Sequence, residues 1–257
     1  MFDFHTHILP GIDDGSRNVQ ESVAMIEELT RQGATGIAAT PHFYAQRSSP
    51  ERFFAKRSEA WARLKPCLRE GLPEIRLGAE VQYFEGINRY DGLEQFCIEG
   101  TRLLLLEMPV CTWTGRMVDT VAEINSREDL RILLAHIERY MPYRNKAAWK
   151  RLLEQGVLIQ ASTGFFTEKR WKALKLMRDG YVHLLGSDSH NMTTRKPNLA
   201  PALEAIIRKK GNQLLRELEQ REVVLLNEAE SDMDCRYDNG VPGLHPALRE
   251  SEKSTGG

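Results

Sequence analysis

The 257-residue sequence lacks the features on which several large classes of protein depend. It holds four cysteines, Cys67, Cys97, Cys111 and Cys235, widely separated and without a C-x-x-C pair. None is followed six residues later by arginine, so the C-x5-R loop with which thiol phosphatases cradle phosphate is absent. Without an export signal these cysteines read as reduced, mostly buried thiols. Neither G-x-x-x-x-G-K-S/T nor G-x-S-x-G occurs, which removes P-loop and serine-hydrolase chemistry. Lys plus Arg number 35 against 36 Asp plus Glu, a net charge of -1, so there is no cationic surplus of the kind nucleic-acid binders use to displace counterions. No apolar run approaches the roughly 20 residues that span a bilayer. The opening Met1-Phe2-Asp3-Phe4-His5 lacks the basic-then-apolar pattern of a signal peptide, and a cytoplasmic location is expected.

What is present is an ordinary globular composition, 41% hydrophobic and 28% charged, on a chain long enough to bury a sizeable core. Short β-rich runs alternate with longer amphipathic ones. The candidate strands are 2–4, 36–40, 75–77, 102–106, 132–134, 157–160 and 183–185. The run Leu103-Leu104-Leu105-Leu106 suits a strand buried on both faces. Helical faces follow Val19, Val23, Ile26 and Leu29, with Ser16 or Asn18 as N-cap and Gly33 as a stop. Others follow Pro50 through Phe53, Trp61 and Leu64, then Met117/Val121/Ile124, Trp149/Leu152/Leu153, Trp171/Leu174/Met177 and Leu199/Leu203/Ile206. Strand alternating with helix predicts parallel pairing in a closed or nearly closed β/α barrel. Residues 1–228 form the expected domain, and 229–257, poor in large apolar residues, an expected flexible tail.

The chemistry lies at the strand ends. His5-x-His7 follows the first strand, Pro41-His42 the second, Glu80 the third, Glu107 the fourth, His136 the fifth and Asp188-x-His190 the seventh. In a β/α barrel all those ends meet at one face. Imidazoles and carboxylates are the ligands of Zn, Mn, Fe or Co. Residues i and i+2 share a face of an extended chain, so His5 and His7 can grip one ion, as can Asp188 and His190. Glu80 or Glu107 could bridge two ions, and Asp13-Asp14 adds a carboxylate on a turn. Each group alone is weak: H-x-H occurs by chance in surface strands, and Glu107 alone reads as a charged strand end. Their joint position argues for a multinuclear metal site. Arg139 and Arg195 leave the same face, where guanidinium suits phosphate oxygens, although a surface salt bridge would look the same. His183 and His245 read as structural or solvated, and Trp61, Trp149 and Trp171 as core or helix-packing residues.

Together these residues resemble the PHP (polymerase and histidinol phosphatase) family of metal-dependent phosphoesterases. The segments FHTHILPGIDDGS, TPHF, LGAE, LLLLEMP, AHIERY and GSDSHN are similar to one branch of it, the bacterial manganese-dependent protein-tyrosine phosphatases of capsule and exopolysaccharide synthesis. The likeness spans residues 1 to 227. It implies an α/β fold, a distorted seven-stranded (β/α)7 barrel, carrying up to three ions, Mn2+ first with Fe or Zn as options. By that resemblance His5, His7, Glu80 and Asp188 hold one ion. Glu80 bridges to a second held by Glu107 and His136, and Asp14, His42 and His190 surround a third. Asp13 stays open as the alternative to Asp14. Arg139 and Arg195 match arginines that orient the phosphoryl group. Many relatives carry histidine where Glu107 stands, and the glutamate favours the phosphatase branch.

The implied reaction is attack on phosphorus by a hydroxide that forms between two cations, in line with a leaving phenolate and without a phosphoenzyme. The implied substrate is a phosphotyrosine-containing protein such as a tyrosine autokinase. The competing readings are a small-molecule phosphatase of the histidinol-phosphate type, a nuclease, and a metal-binding scaffold without turnover.

Overall fold

The alternation of short apolar and longer amphipathic runs becomes parallel strands separated by helices. The computed structural model describes residues 1–210 and 212–231. Among these residues the strands are β1 (Phe2–Thr6), β2 (Gly36–Ala39), β3 (His42–Phe43), β4 (Glu74–Leu77), β5 (Glu80–Gln82), β6 (Leu103–Glu107), β7 (Arg131–Leu134), β8 (Leu158–Ser162) and β9 (Leu184–Gly186). Every pairing between them is parallel, in the orders β1-β2-β4 and β3-β5-β6-β7-β8-β9. The segment after β9 returns to β1. His7 N–H donates to the Ser189 carbonyl at 2.9 Å and Asp188 N–H to the His5 carbonyl at 2.8 Å, around a parallel bridge between Thr6 and Ser189. The result is a mixed α/β fold whose parallel sheet curls into a half-barrel.

Two interruptions shape it. Between β2 and β3 stands Pro41, which has no N–H for a ladder. Between β4 and β5 stands Gly78, where a Cβ would come within 3.2 Å of Ile98. A third irregularity lies in β1, where the four residues from Asp3 to Thr6 oppose three from Ile37 to Ala39. Such a bulge re-aims side chains, and His5 sits inside it.

Helices α1 (Val19–Arg31), α2 (Pro50–Leu64), α3 (Gly115–Asn125), α4 (Lys146–Glu154), α5 (Thr163–Glu168), α6 (Arg170–Arg178), α7 (Leu199–Lys210) and α8 (Asn212–Ser231) connect and cover the strands. The caps are local. The side chains of Asn18, Ser49 and Thr114 accept from backbone N–H groups in the first turns of α1, α2 and α3. Pro50 occupies the first turn of α2, where its missing N–H costs nothing. Along β6, Leu103 and Leu105 join an apolar cluster with Phe4, Leu133 and Leu184, while Leu104 and Leu106 join another with Ile132, Leu134 and Ile159. The strand is buried on both faces, as its four leucines predict. Glu222 of α8 is buried and accepts from the Phe2 N–H at 3.0 Å, fastening the last helix to the first strand. No helix among the described residues is long and apolar enough to cross a membrane.

Several expectations change. His5 lies within β1, and His42 and Glu80 open the short strands β3 and β5, which periodicity is too coarse to find. Helices α5 and α8 were not expected, and α8 continues through Ser231, so residues 229–231 of the expected tail are helical. The rest of that tail, with Cys235 and His245, lies outside the described residues. Trp171 is 67% exposed and lies outside the core. The buried face of α6 is Ala173, Leu174 and Met177, and three residues back from Leu174 is roughly 60° further round the helix. Of the three described cysteines only Cys97 is buried; Cys67 ends a helical turn and Cys111 stands in a loop, both exposed.

Gly186 marks a close approach. A Cβ there would lie 2.5 Å from the His5 Cβ and 2.8 Å from the Gln160 amide nitrogen. Gly186→Ala is therefore expected to cost about 1–3 kcal/mol of stability through overpacking. Thermal unfolding of the purified variant checks it, and an unchanged Tm would show that β1 and β9 can part freely.

Candidate metal centre

All eleven residues predicted for the site are described, and they converge at the C-terminal ends of the strands. The innermost group is His5, His7, Glu80 and Asp188. The two Nε2 atoms of His5 and His7 are 3.1 Å apart. Glu80 Oε2 stands 3.2 Å from the first and 3.3 Å from the second, and Asp188 Oδ1 stands 3.5 and 3.7 Å away. Glu80 turns its other oxygen the opposite way, to 2.9 Å from His136 Nε2, which is also 3.5 Å from Glu107 Oε1. A third group forms at the rim. Asp14 Oδ1 is 3.4 Å from His42 Nε2 and 3.5 Å from His190 Nε2, with the Asp14 side chain 64% exposed.

These donors suit cations. The sets His7/Asp14/His42/His190, His5/His7/Glu80 and His42/Glu80/Glu107 each bring ligand atoms within 4.8 Å of one another. The buried His190 Nε2, facing Asp14, makes no hydrogen bond, and His42 Nδ1 stands 3.0 Å from Glu80 Oε2. Mixed imidazole and carboxylate donors fit Mn, Fe or Zn, and the divided carboxylate of Glu80 is the shape a bridge between two ions requires.

Arg139 and Arg195 meet on one atom. Asp188 Oδ2 accepts from Arg139 Nη2 at 2.5 Å and from Arg195 Nη2 at 2.7 Å, opposite the oxygen that faces the histidines. Arg139 also reaches Glu107 at 3.4 Å. Both guanidinium groups are still about a third exposed, at 36% and 37%, so a ligand can reach them.

Supporting residues complete the arrangement. Asp13 Oδ2 accepts from His7 Nδ1 at 2.7 Å and from the His42 N–H at 3.0 Å, which turns His7 Nε2 toward the cluster. Asp13 thus stands behind a histidine while Asp14 stands among them. Gln160, buried in β8, accepts from the His136 N–H at 2.7 Å and lies 3.5 Å from His5 Nδ1. Asp3 accepts from the N–H groups of His5 and Ser187, tying β1 to the β9 loop. Tyr140 packs beside His136 and its hydroxyl accepts from the Met108 N–H. Of these, Asp3 could be found from its place two residues before His5; Gln160 and Tyr140 carry no local signal. His136 and Asp188 hold left-handed backbone, with φ of 33° and 52°, a strained state for non-glycine residues that clusters at functional sites.

Residues 1–225 match the family described as capsular polysaccharide synthesis, CpsB/CapC. The chain is 28% identical over 232 residues to the tyrosine-protein phosphatase CpsB of Streptococcus pneumoniae, covering 85% of this chain and 94% of that protein. It is 27% identical over 239 residues to the tyrosine-protein phosphatase YwqE of Bacillus subtilis (strain 168), covering 89% and 92%. A chain from the crystal structures of YwqE and CpsB, presented as unique metal-dependent tyrosine phosphatases, matches with a TM-score of 0.76 at 24% identity, over 88% of this chain and 95% of that one. A chain from the cryo-EM structure of archaeal ribonuclease P with mature tRNA matches with a TM-score of 0.54 at 12% identity, over 86% and 94%. The last two likenesses concern the fold.

The electrostatics follow from burial and close contact. Burial alone would lower the pKa of His7, but the Asp13 carboxylate and the hydrogen bonds to Asp13 and Glu80 carry it up to about 10. Burial opposes His136 too, and Glu107 and Glu80 carry it to about 9. Asp13 is held down to about 2, the His7 charge outweighing burial, and Asp188 and Glu80 lie well below the carboxylate range for similar reasons. His190 moves the other way, to about 4, through burial and the cations of His7 and Arg195. In the metal-free protein the proton on each raised histidine stabilises the fold fully below the ordinary histidine pKa, and that contribution is lost as pH rises through about 9 to 10. A cation must displace those same protons. Affinity of the metal-free protein for Mn2+ is therefore expected to climb with pH from 6.5 to 9, about tenfold per unit for each proton displaced. Titration calorimetry in buffers of different ionisation enthalpy reads the protons released; a buffer-independent enthalpy would remove His7 and His136 from the ligand set.

Proposed function

The chain belongs to the capsular polysaccharide synthesis family CpsB/CapC, and from that membership we propose that it is a metal-dependent protein-tyrosine phosphatase, a phosphoric monoester hydrolase. The observation that carries this reading is Glu80, which gives one oxygen to His5 and His7 and the other to His136, with two arginines gathered on the adjoining Asp188. The names of the curated relatives agree with it. In this reading His5, His7, Glu80 and Asp188 hold one ion, Glu80, Glu107 and His136 a second, and Asp14, His42 and His190 a third, with Mn2+ the resident metal. The nine strand segments count as seven staves of a (β/α)7 barrel, β2 with β3 and β4 with β5 each being one interrupted strand. Residues 1–228 are the phosphatase domain. A phosphorylated tyrosine autokinase is the proposed partner, and a cytoplasmic location belongs to the same reading.

The ions supply Lewis acidity, which makes a nucleophile of water near neutral pH and offsets charge on phosphate oxygens. The chain supplies position. Arg139 and Arg195 carry N–H groups beyond those bound to Asp188, and guanidinium matches two phosphate oxygens at once. Asp188 holds the two arginines on one side and faces His5 and His7 on the other, so phosphate-binding cations and ligands share one rigid reference. Asp13 and Gln160 fix the rings and backbone behind them. Phenolate leaves more readily than an alkoxide, so a strong protein acid is not required. No cysteine takes part.

The test is hydrolysis of a phosphotyrosyl peptide, compared with histidinol phosphate. Activity is expected to disappear with EDTA, return with Mn2+ and survive iodoacetamide. Peptide turnover unaffected by chelation, or destroyed by alkylation, would overturn the reading.

Two substitutions separate the roles. His136→Ala is expected to abolish turnover and reduce bound metal by elemental analysis. Arg139→Ala should keep its metal and lose about 10²–10³-fold in kcat, the typical cost of removing one charge-stabilising donor. Arg139→Ala with wild-type kinetics would refute the phosphate-binding role.

A further inference from the structure

A groove of about 500 Å³ opens from the rim of the cluster. Asp14 and His42 line its inner end, and Tyr44, Arg47, Arg52 and Lys56 continue it outward. The local sequence builds this wall. Tyr44 and Arg47 stand in the turn after β3, and Arg52 and Lys56 are four residues apart on α2, hence on one face. The Tyr44 ring stacks on His42, with centroids 5.0 Å apart and planes at 24°, and the Arg47 guanidinium carbon lies 4.9 Å from the centroid of the same Tyr44 ring. A continuous surface therefore runs from a candidate metal ligand through an aromatic ring to three exposed cations.

Those cations have no acid partners. Among the described residues none of Arg47, Arg52 and Lys56 forms an ion pair. Several other surface arginines are matched, among them Arg69 with Glu27, Arg116 with Glu85, Arg151 with Asp119 and Arg178 with Asp179, so it is the grouping of three unmatched cations in one wall that distinguishes the groove. The whole chain carries a net charge of -1, so three unmatched cations along one groove are a local arrangement, not a general surplus. Solvated lysines and arginines are common on any surface. A solvated face does not by itself set three such groups in the wall of the cavity that holds Asp14 and His42.

We propose that this groove binds the peptide on either side of the phosphotyrosine and selects substrates with Asp or Glu next to it. The inference rests on the phosphatase reading. With its phosphate at the cluster, a phosphotyrosine would carry its backbone outward along this basic wall, which begins at Asp14 and His42. Acidic side chains there meet Arg47, Arg52 and Lys56, and the exposed edge of Tyr44 gives their stems an apolar floor. Arg139 and Arg195 read the phosphate; Arg47, Arg52 and Lys56 read its neighbours.

The Mn2+-loaded full chain is assayed on p-nitrophenyl phosphate and on two phosphotyrosyl peptides, one with glutamates flanking the phosphotyrosine and one with glutamines. The glutamate peptide is expected to have a KM lower by roughly tenfold at low salt, the sum of a few exposed ion pairs, with kcat alike and the gap closing at high salt. The triple variant Arg47→Ala, Arg52→Ala, Lys56→Ala should erase the gap while p-nitrophenyl phosphate turnover stays within about twofold, since no exposed cation of this wall touches the reacting group. Equal KM values for the two peptides, or a gap that survives in the triple variant, would overturn the groove while leaving the phosphatase reading intact. Absence of p-nitrophenyl phosphate turnover by the wild type would overturn both.

Discussion

One buried carboxylate organises this molecule. Glu80 is 1% exposed, and its two oxygens face different histidines. Removing a carboxylate from water is costly unless opposite charges or strong hydrogen bonds compensate, and here His5, His136 and His42 hold it well below the ordinary range. Compensation of that kind demands that residues from β1, β3, β5 and the β7 loop arrive at one point. The parallel sheet makes this possible, because parallel strands present all their C-terminal ends on one side. The return of the β9 loop onto β1 then brings Asp188 and His190 to residues more than 180 positions earlier in the chain.

The convergence is held by local strain balanced against specific bonds. Left-handed backbone at His136 and Asp188 disfavours each by about 1–3 kcal/mol. Against it, the His136 N–H has the Gln160 side chain and the Asp188 N–H has the His5 carbonyl. Both partners are buried, where a lost hydrogen bond leaves an unsatisfied group. The same bonds that orient the rings therefore also keep the chain in a conformation it would otherwise leave. Gly186, pressed against His5, belongs to this economy of space: no side chain fits between β9 and the first histidine pair.

The parallel α/β architecture and the convergence of imidazoles and carboxylates at one end of the sheet were legible because both depend on short-range patterns. Leu103 to Leu106 announced a strand buried on two faces, and the H-x-H pair brought two ring nitrogens together. The D-x-H pair did not behave as an extended i, i+2 grip, because left-handed backbone at Asp188 turns its carboxylate to His5 and His7 while His190 faces Asp14. Less was legible where the signal is relational. Gln160 is an ordinary polar residue in an apolar strand until the fold sets it beside His5 and His136. Asp13 and Asp14 are adjacent and identical in type, and only the register of the turn separates the one behind His7 from the one between His42 and His190. Trp171 read as core because a spacing of three looks helical, whereas the buried face was fixed by Ala173.

Depth separates chemistry from recognition in this design. The inner groups are buried and tightly coupled, so altering one disturbs the charge balance of the rest; Glu80, His7 and Asp13 cannot change independently. The groove wall is different. Arg47, Arg52 and Lys56 are exposed, bear no ion pairs and lie on a turn and one helix face, so they can vary without disturbing the cluster. Screening by water weakens each exposed charge, which limits what any one of them contributes. Several acting together on one peptide would shift KM without touching kcat, because none of them reaches the buried cluster. Selectivity for the surroundings of a phosphate can therefore change at the rim while the hydrolytic centre stays fixed, because the two depend on residues that share a cavity but not a hydrogen-bond network.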